Sequence, residues 1–574
     1  MSERAKLQEW ARKNADPLIG VGMASVYVVW LLKTARSLGF ARDEGFYFNA
    51  AGDYKRWFEL LASAPAQAVD RGSIDAIWAN NHEHPSLMKS LFALSYMFLH
   101  ERHKVFDDVS TAMRFPGMLM MGLALFVTYM FGARAFSRTT GVVAAIALGL
   151  MPRVFYNAHL ACFDVAIMAM WATCIYVYWC SERHGGLGWA IACGIVYGLT
   201  LETKHNAWML PAVFLPHAFI AHGKSISKHL TRTGRLPIPG SLIAMATIGP
   251  CVFLLLWPWL WNDTLPRLQE YVNFHVHHEY YNIEFLGRTY FGPPSPKAYM
   301  PVMILATVPT ATLMLFAIGA VERGRSLVVR SLDWLGETLG RPARRETTGP
   351  RDRLHTDLLI FLALAVPLAP FLLPRTPIFG GTKHWMPAYP FLAILAGRGF
   401  DLFWKELGGL TKGRFHLAGA RARVVDVLVV ALTFGGALAT TVHSHPFGLS
   451  TYVPFVGGTA GGADLGLNRQ FWGFTTESLA DYFEKNAPKN ATVYIMDTAW
   501  PSWVRLVEEH RVRSDLRGVA SPAEAEFSIV HHEQHINEVD YNIWTEYGSS
   551  TPDFVLTHDG VPIISVYRRA HKPR

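Results

Sequence analysis

The stretch ARDEGFYFNAA sets two carboxylates side by side, Asp43 and Glu44, a few residues beyond the first apolar segment. Adjacent carboxylates can divide labour, one taking a proton from a nucleophile while the other orients a ligand. The same acids could instead cap the helix DEGFYFNAAGDYKRW, where negative charge meets the positive end of the helix dipole. A second cluster, NNHEHPSLMKS, gathers His82, Glu83, His84 and Lys89 around Pro85. His and Lys can hold a phosphodiester anion, or Lys89 can anchor an interfacial helix. A third runs from Arg153 through Tyr156, Asn157 and His159 to Asp164. In a fourth, GLTLETKHNAWMLP, Glu202, Lys204, His205 and Asn206 interrupt an apolar run, and Lys204 either faces a substrate or pairs with Glu202. Finally, FGGTKHWMPAYPFL puts Lys383 and His384 ahead of another apolar run. Charges near a bilayer are costly and point to function. Separated acids and cations on one face suit a leaving phosphate, which needs positive charge, and an acceptor hydroxyl, which needs a base.

A histidine group, FHVHHEYYNIE, contains His275, His277 and His278. Imidazole is a common zinc ligand, but the spacing is not HExxH and no cysteine completes a set. Contact with lipid headgroups or substrate is the alternative. No cofactor is assigned; if a divalent metal is used, these three histidines are the candidates.

The elements that must hold these residues are membrane helices. A chain of 574 residues that is 51% hydrophobic and 17% charged repeats apolar runs of about 20 residues, enough to cross a bilayer. We expect eleven spans, at 17–36, 114–132, 139–157, 162–180, 187–203, 205–221, 241–261, 298–320, 355–373, 384–399 and 424–441, with Leu87 to Leu99 as an interfacial helix. The net charge of +8 falls mostly on loops flanking apolar runs, around Lys224 to Arg235, Arg323 to Arg353 and Lys405 to Arg423. That bias makes those loops cytoplasmic, together with the amino terminus, and argues against a nucleic-acid partner. The start of the chain, with Arg4, Lys6, Glu9, Arg12 and Lys13, reads as a cytoplasmic segment before a retained first helix rather than as a cleaved signal. All five cysteines lie in or beside apolar runs and read as small core residues, not as disulfides.

Three regions are expected: a cytoplasmic amino terminus (1–16), a multispan catalytic membrane domain (17–441) with an outer loop (37–113), and an extracytoplasmic α/β domain (442–574). Short strand-like runs at TVYIMD, EFSIVHH, DFVLTHD and PIISVYR, with a helix whose cap lies near Thr476, carry the last of these. Its glycine-rich opening, FVGGTAGGADLG, lacks a phosphate-loop spacing and reads as a turn at the start of the domain.

The order of these motifs, DE, His-Pro-Ser-Leu, RFPGMLMMG, HLACFD, GLTLETKHN and KHWMPAYPFL, resembles the polyprenyl-phosphate-sugar-dependent glycosyltransferases. These include the dolichyl-phosphate-mannose protein mannosyltransferases and the bacterial aminoarabinose transferase of lipid A. The likeness covers roughly residues 17 to 441. It implies a C-type fold, with Asp43 as general base on the acceptor hydroxyl and Glu44 supporting it. It further implies that His84, Lys89, Arg114, His159, Asp164, Lys204, Asn206, Lys383 and His384 bind the donor phosphate or substrate. His159 stands where the mannosyltransferases carry Arg, and Ser86 where they carry a second proline. The loop 262–297 is short where the mannosyltransferases have a large lumenal insert, which favours a bacterial relative. The implied partners are a polyprenyl-phosphate sugar donor, a hydroxyl-bearing acceptor (lipid, glycan or protein) and the lipid bilayer, with the protein in a bacterial inner membrane. A transporter or lipid flippase and a non-catalytic envelope-assembly scaffold are the competing classes. A transporter should show repeated halves with helices broken at the midplane, which the sequence does not display.

Overall fold

In an apolar setting backbone amides must bond within their own segment, and the chain is accordingly mostly helical up to Ser444. The computed structural model describes residues 14–233, 238–338, 352–378, 380–409 and 419–570. The amino-terminal charges Arg4 to Lys13, Arg235 and the stretches 339–351 and 410–418 lie outside the described residues.

Among the described residues four helices are long and apolar enough to cross a membrane: Ala15–Ser37, Val109–Ala135, Asp164–His184 and Val424–Ser444. Two bent pairs bring the number to six, Arg138–Gly149 with Pro152–Ala158 (73°) and Tyr299–Thr307 with Thr310–Leu332 (118°). Leu187–Leu201, Gly240–Leu256 and Thr356–Ala365 are apolar but shorter. The eleven spans expected from the sequence thus become four to six by length and apolarity, and the rest are shortened or interrupted. The run at 205–221 opens as a 3₁₀ turn, His205–Met209, before the helix Pro211–Thr233; the run at 384–399 does the same through Gly381–Ala388 before Tyr389–Gly409. Proline accounts for the first break, because Pro211 lacks the amide that would continue a helix from the preceding turn; Pro387 lies inside the second 3₁₀ segment.

Proline inside the long helix Val109–Ala135 is tolerated by a specific compensation. Pro116 cannot donate to the carbonyl of Ala112, and the Ser95 hydroxyl, from the neighbouring helix Leu87–Ser95, donates to that oxygen at 2.5 Å. Elsewhere helices meet backbone to backbone: a Cβ on Gly319 would lie 1.9 Å from the Leu395 carbonyl oxygen, and one on Gly399 the same distance from that of Leu315. Only glycine allows this approach of Thr310–Thr338 to Tyr389–Gly409. Four cysteines, Cys162, Cys174, Cys180 and Cys193, are buried and unbridged; Cys251 is exposed.

After Ser444 the chain builds a five-stranded mixed sheet. Its strands are β3 (Thr492–Ile495), β4 (Arg517–Val519), β5 (Phe527–His531), β6 (Phe554–His558) and β7 (Val561–Arg568), following a small hairpin of β1 (Ile283–Phe285) and β2 (Arg288–Tyr290). Strand β3 pairs in parallel with both β4 and β5, whereas β7 runs antiparallel between β5 and β6. Val493, Phe527, Ile529 and Val566 are buried and fix the register. The four strand-like sequence runs correspond to β3, β5, β6 and β7; the short β4 is additional. Thr476 is not a helix cap: it lies inside the 3₁₀ turn Phe474–Leu479. The glycine-rich stretch forms a short helix, Gly458–Asp464, in which a Cβ on Gly461 would meet the Val456 carbonyl oxygen at 1.9 Å.

Candidate active site

Asp43 and Glu44 are consecutive on the helix Arg42–Ser63, and consecutive helical residues point about 100° apart, so they serve different places. Glu44 is fully buried. It accepts from Arg114 Nε and Nη2, both at 2.8 Å, from the Ala161 amide at 2.9 Å and from the Ala41 amide at 3.0 Å. Arg114 in turn donates to the carbonyls of Ala35, Leu38 and Gly39. Every strong site on this carboxylate is occupied, so Glu44 ties the helix start to Val109–Ala135 and to the turn before Asp164.

Asp43 faces a cavity of about 450 Å³. Its side chain is 28% exposed, and Lys383 Nζ donates to its Oδ2 at 3.3 Å. Lys383 is placed by Gly380 and Gly381, both with positive φ (70° and 62°), which turn the chain into the Gly381–Ala388 segment; its ammonium lies 3.8 Å from the Trp472 ring centre. Across the cavity Asp164, at the start of Asp164–His184, accepts from Lys204 Nζ at 2.6 Å. Lys204 therefore pairs with a residue 40 positions earlier and not with Glu202, whose carboxylate accepts from the Ser86 hydroxyl at 2.8 Å.

His84, His275 and His384 also line the cavity. The His275 ring is 5.6 Å from that of His84 and 4.0 Å from that of His205, and its Nε2 donates to the Glu83 carbonyl at 2.9 Å. Burial lowers His275 to about 4, and burial together with His275 and nearby lysines holds His84 well below the ordinary imidazole range. The histidine trio of the sequence is not gathered: His278 Nδ1 donates to the Glu279 carbonyl, and His277 does not line the cavity. Among the described residues the group with close ligand atoms is instead His443, His558 and Asp559, away from the cavity.

The remaining candidates lie elsewhere. Lys89 is buried and donates to the carbonyls of Asn81 and His84. His159 shares a 2.8 Å hydrogen bond with the Thr34 hydroxyl and lies against His445. The Asn206 amide donates to the His384 carbonyl at 3.4 Å. None of Glu44, Lys89, Arg114, His159 and Asn206 lines the cavity.

Sequence reading missed the roof, which the small sheet domain supplies. Arg42 pairs with Asp497, and His535 bonds Glu284 through both its amide and Nδ1 at 3.0 Å. Glu533 accepts from Gln470 Nε2 at 2.9 Å, and burial, with Glu284 adding, pushes its carboxyl up to about 8. Glu284 projects from the β1–β2 hairpin, whose turn has positive φ at both Leu286 and Gly287, the pattern of a tight two-residue hairpin turn. No spacing signal links residues some 250 positions apart, so only the fold could reveal them. Arg153, also on the cavity wall, was visible as a cation at the end of an apolar run but was given no role.

Fold and site together define a helical membrane protein with a charged cavity, closed on one side by a small α/β domain. Residues 89–254, about three-tenths of the chain, match the family model described as dolichyl-phosphate-mannose-protein mannosyltransferase. The resemblance to the polyprenyl-phosphate-sugar glycosyltransferases therefore holds on the stretch that carries Lys89, Arg114, Asp164 and Lys204. No curated protein matches the chain. Among solved structures, ArnT from Cupriavidus metallidurans bound to undecaprenyl phosphate is similar at 16% identity, with 95% of this chain and 97% of that one covered and a TM-score of 0.46. The archaeal oligosaccharyltransferase AglB from Archaeoglobus fulgidus, in complex with an inhibitory peptide and a dolichol-phosphate, is similar at 11% identity, with 90% of this chain and 65% of that one covered and a TM-score of 0.49.

Proposed function

We propose that this chain is an inverting glycosyltransferase of the membrane, moving a sugar from a polyprenyl-phosphate donor to an acceptor hydroxyl. The observation that carries the reading is Asp43: a partly exposed carboxylate in a cavity whose other walls hold Lys383, Lys204 and Asp164. The acceptor oxygen attacks the anomeric carbon from the face opposite the phosphate and passes its proton to Asp43. The bond from the anomeric carbon to the phosphate oxygen breaks, and its electron pair leaves with the lipid phosphate. Lys383 and Lys204 stabilise that departing charge. Lys383 has a second task, aiming Asp43 until the acceptor arrives.

In this reading the cavity opens on the extracytoplasmic side of a bacterial inner membrane, the amino terminus is cytoplasmic, and the sheet domain covers the site. Transfer of radiolabelled sugar from a panel of polyprenyl-phosphate sugars to membrane extracts tests it. Purified wild type in nanodiscs should transfer one of them, and Asp43→Asn, matched for thermal stability, should lose about 10²- to 10⁴-fold in rate. Equal rates in the two proteins would remove Asp43 from the mechanism.

A further inference from the structure

A guanidinium carries five N–H donors and stays charged at any pH a protein meets, so burying one without acceptors is costly. Arg153 is 1% exposed, and its Nε, Nη1 and Nη2 have no hydrogen-bond partner among the described residues. Its group lies 5.1 Å from the ring centre of Tyr452 and beside that residue's hydroxyl, which donates to the Asn468 carbonyl at 2.7 Å. A ring face attracts the cation but accepts none of its in-plane hydrogen bonds.

The other strong cations of the cavity are each met by a carboxylate: Arg42 by Asp497, Lys204 by Asp164, Lys383 by Asp43. Arg153 alone among them has no such ion pair among the described residues, and it lines the same cavity. Its place follows from the 73° bend between Arg138–Gly149 and Pro152–Ala158, which turns the start of the second helix inward instead of letting the first run on. Tyr299, Met303 and Ile378 line the cavity with it, and the Glu284 carboxylate of the same lining is taken up by the His535 amide and Nδ1 rather than by Arg153. What the position lacks is a planar, negatively charged acceptor able to take two parallel N–H bonds, and phosphate and carboxylate both have that shape.

We propose that Arg153 is the anion receptor of this cavity, taking an oxyanion of a substrate in a forked pair of hydrogen bonds. The inference rests on the cavity being a substrate site, as proposed above. The oxyanion has two sources, the phosphate of the lipid donor or an acid group carried by a sugar or acceptor, and the experiment separates them. Binding of a polyprenyl monophosphate and, separately, of glucuronate is measured on the full chain in phosphatidylcholine nanodiscs, with the uncharged polyprenol as control. Arg153→Gln is also made in the Asp43→Asn background, where it should weaken the same anion by the same factor, so that failure of the transferase reading leaves the binding result intact.

Arg153→Gln should weaken one anion about ten- to a hundredfold and leave polyprenol unchanged. Loss for polyprenyl phosphate assigns the donor phosphate to Arg153; loss for glucuronate assigns an acidic sugar or acceptor. Arg153→Lys, which keeps the charge but not the fork, should weaken the same probe by less, and it carries the test if the neutral variant does not fold. The proposal is overturned if wild type binds neither anion, or if the folded variants bind both as tightly as wild type does.

Discussion

Replacing Glu44 with Gln separates the two neighbouring acids. Four donors converge on Glu44, two from Arg114 and the amides of Ala41 and Ala161, and neither Glu44 nor Arg114 has any exposed side chain. Glutamine has nearly the same shape, but one of its ends is a donor. Whichever way it is turned, one Arg114 nitrogen and one backbone amide face N–H groups where they faced oxygen. Arg114 also becomes an unpaired buried charge, held only by the carbonyls of Ala35, Leu38 and Gly39. Breaking one partner of such a pair costs about 3–5 kcal/mol. Denaturation in detergent followed by tryptophan fluorescence should report a loss of that size for Glu44→Gln and less than about 1 kcal/mol for Asp43→Asn, whose partly exposed carboxylate has one long ion pair. Arg114→Met combined with Glu44→Gln should recover part of the loss, because the double variant buries no lone charge. A Glu44→Gln protein as stable as wild type, or a double variant additive in its parts, would refute the account of Glu44 as a tie rather than a reactive group.

Lys204→Met should cut transfer by about 10²- to 10³-fold and also lower stability, because it strands the buried Asp164; Lys204→Met with Asp164→Asn should restore the stability and not the rate, measured side by side on one preparation. Glu533 keeps its proton up to about pH 8 in the folded chain but sheds it near the ordinary glutamate value when unfolded, so its contribution to stability is full at acid pH and falls as pH rises from about 4.5 through about 8. Glu533→Gln should flatten that decline, and unfolding midpoints compared at pH 5 and pH 8.5 would expose the difference. Ser95→Ala removes the hydroxyl that serves the carbonyl facing Pro116 and should cost about 1–3 kcal/mol, whereas Ser95→Ala in a Pro116→Ala background should cost much less; equal costs in the two backgrounds would argue against the compensation.

Helical membrane character was legible because apolar runs of the right length have few other uses, and the strands of the small domain because β-rich runs between turn signals declare themselves. The pairings were not. Lys204 has an acid two residues away in sequence, yet it bonds Asp164, because the break before the His205–Met209 turn sends its side chain inward. Asp43 and Glu44 read as one motif and prove to be two features, since rotation along a helix separates neighbours that a string of letters joins. Continuous apolar runs hid the bends at Met151 and Val308, where hydrophobic composition carries no trace of backbone direction. Glu284, Glu533 and His535 were invisible, because what makes them neighbours is a hairpin and a sheet edge brought to one opening.

The roof of the cavity has a bearing on the order in which the molecule comes into being. A Cβ on Gly45 would sit 2.5 Å from the Ser502 amide nitrogen, and one on Gly39 would sit 2.2 Å from the Phe474 carbonyl oxygen. The Ser502 hydroxyl donates to the Ala41 carbonyl at 3.1 Å. The segment bearing Asp43 is thus pressed against residues made more than 400 positions later, and a chain emerging from the ribosome carries that segment through all of that interval with its counterpart still unmade. A product stopped before that point would keep the membrane helices and lack a finished cavity, so Asp43 gains its surroundings only once residues more than 400 positions further along have been made.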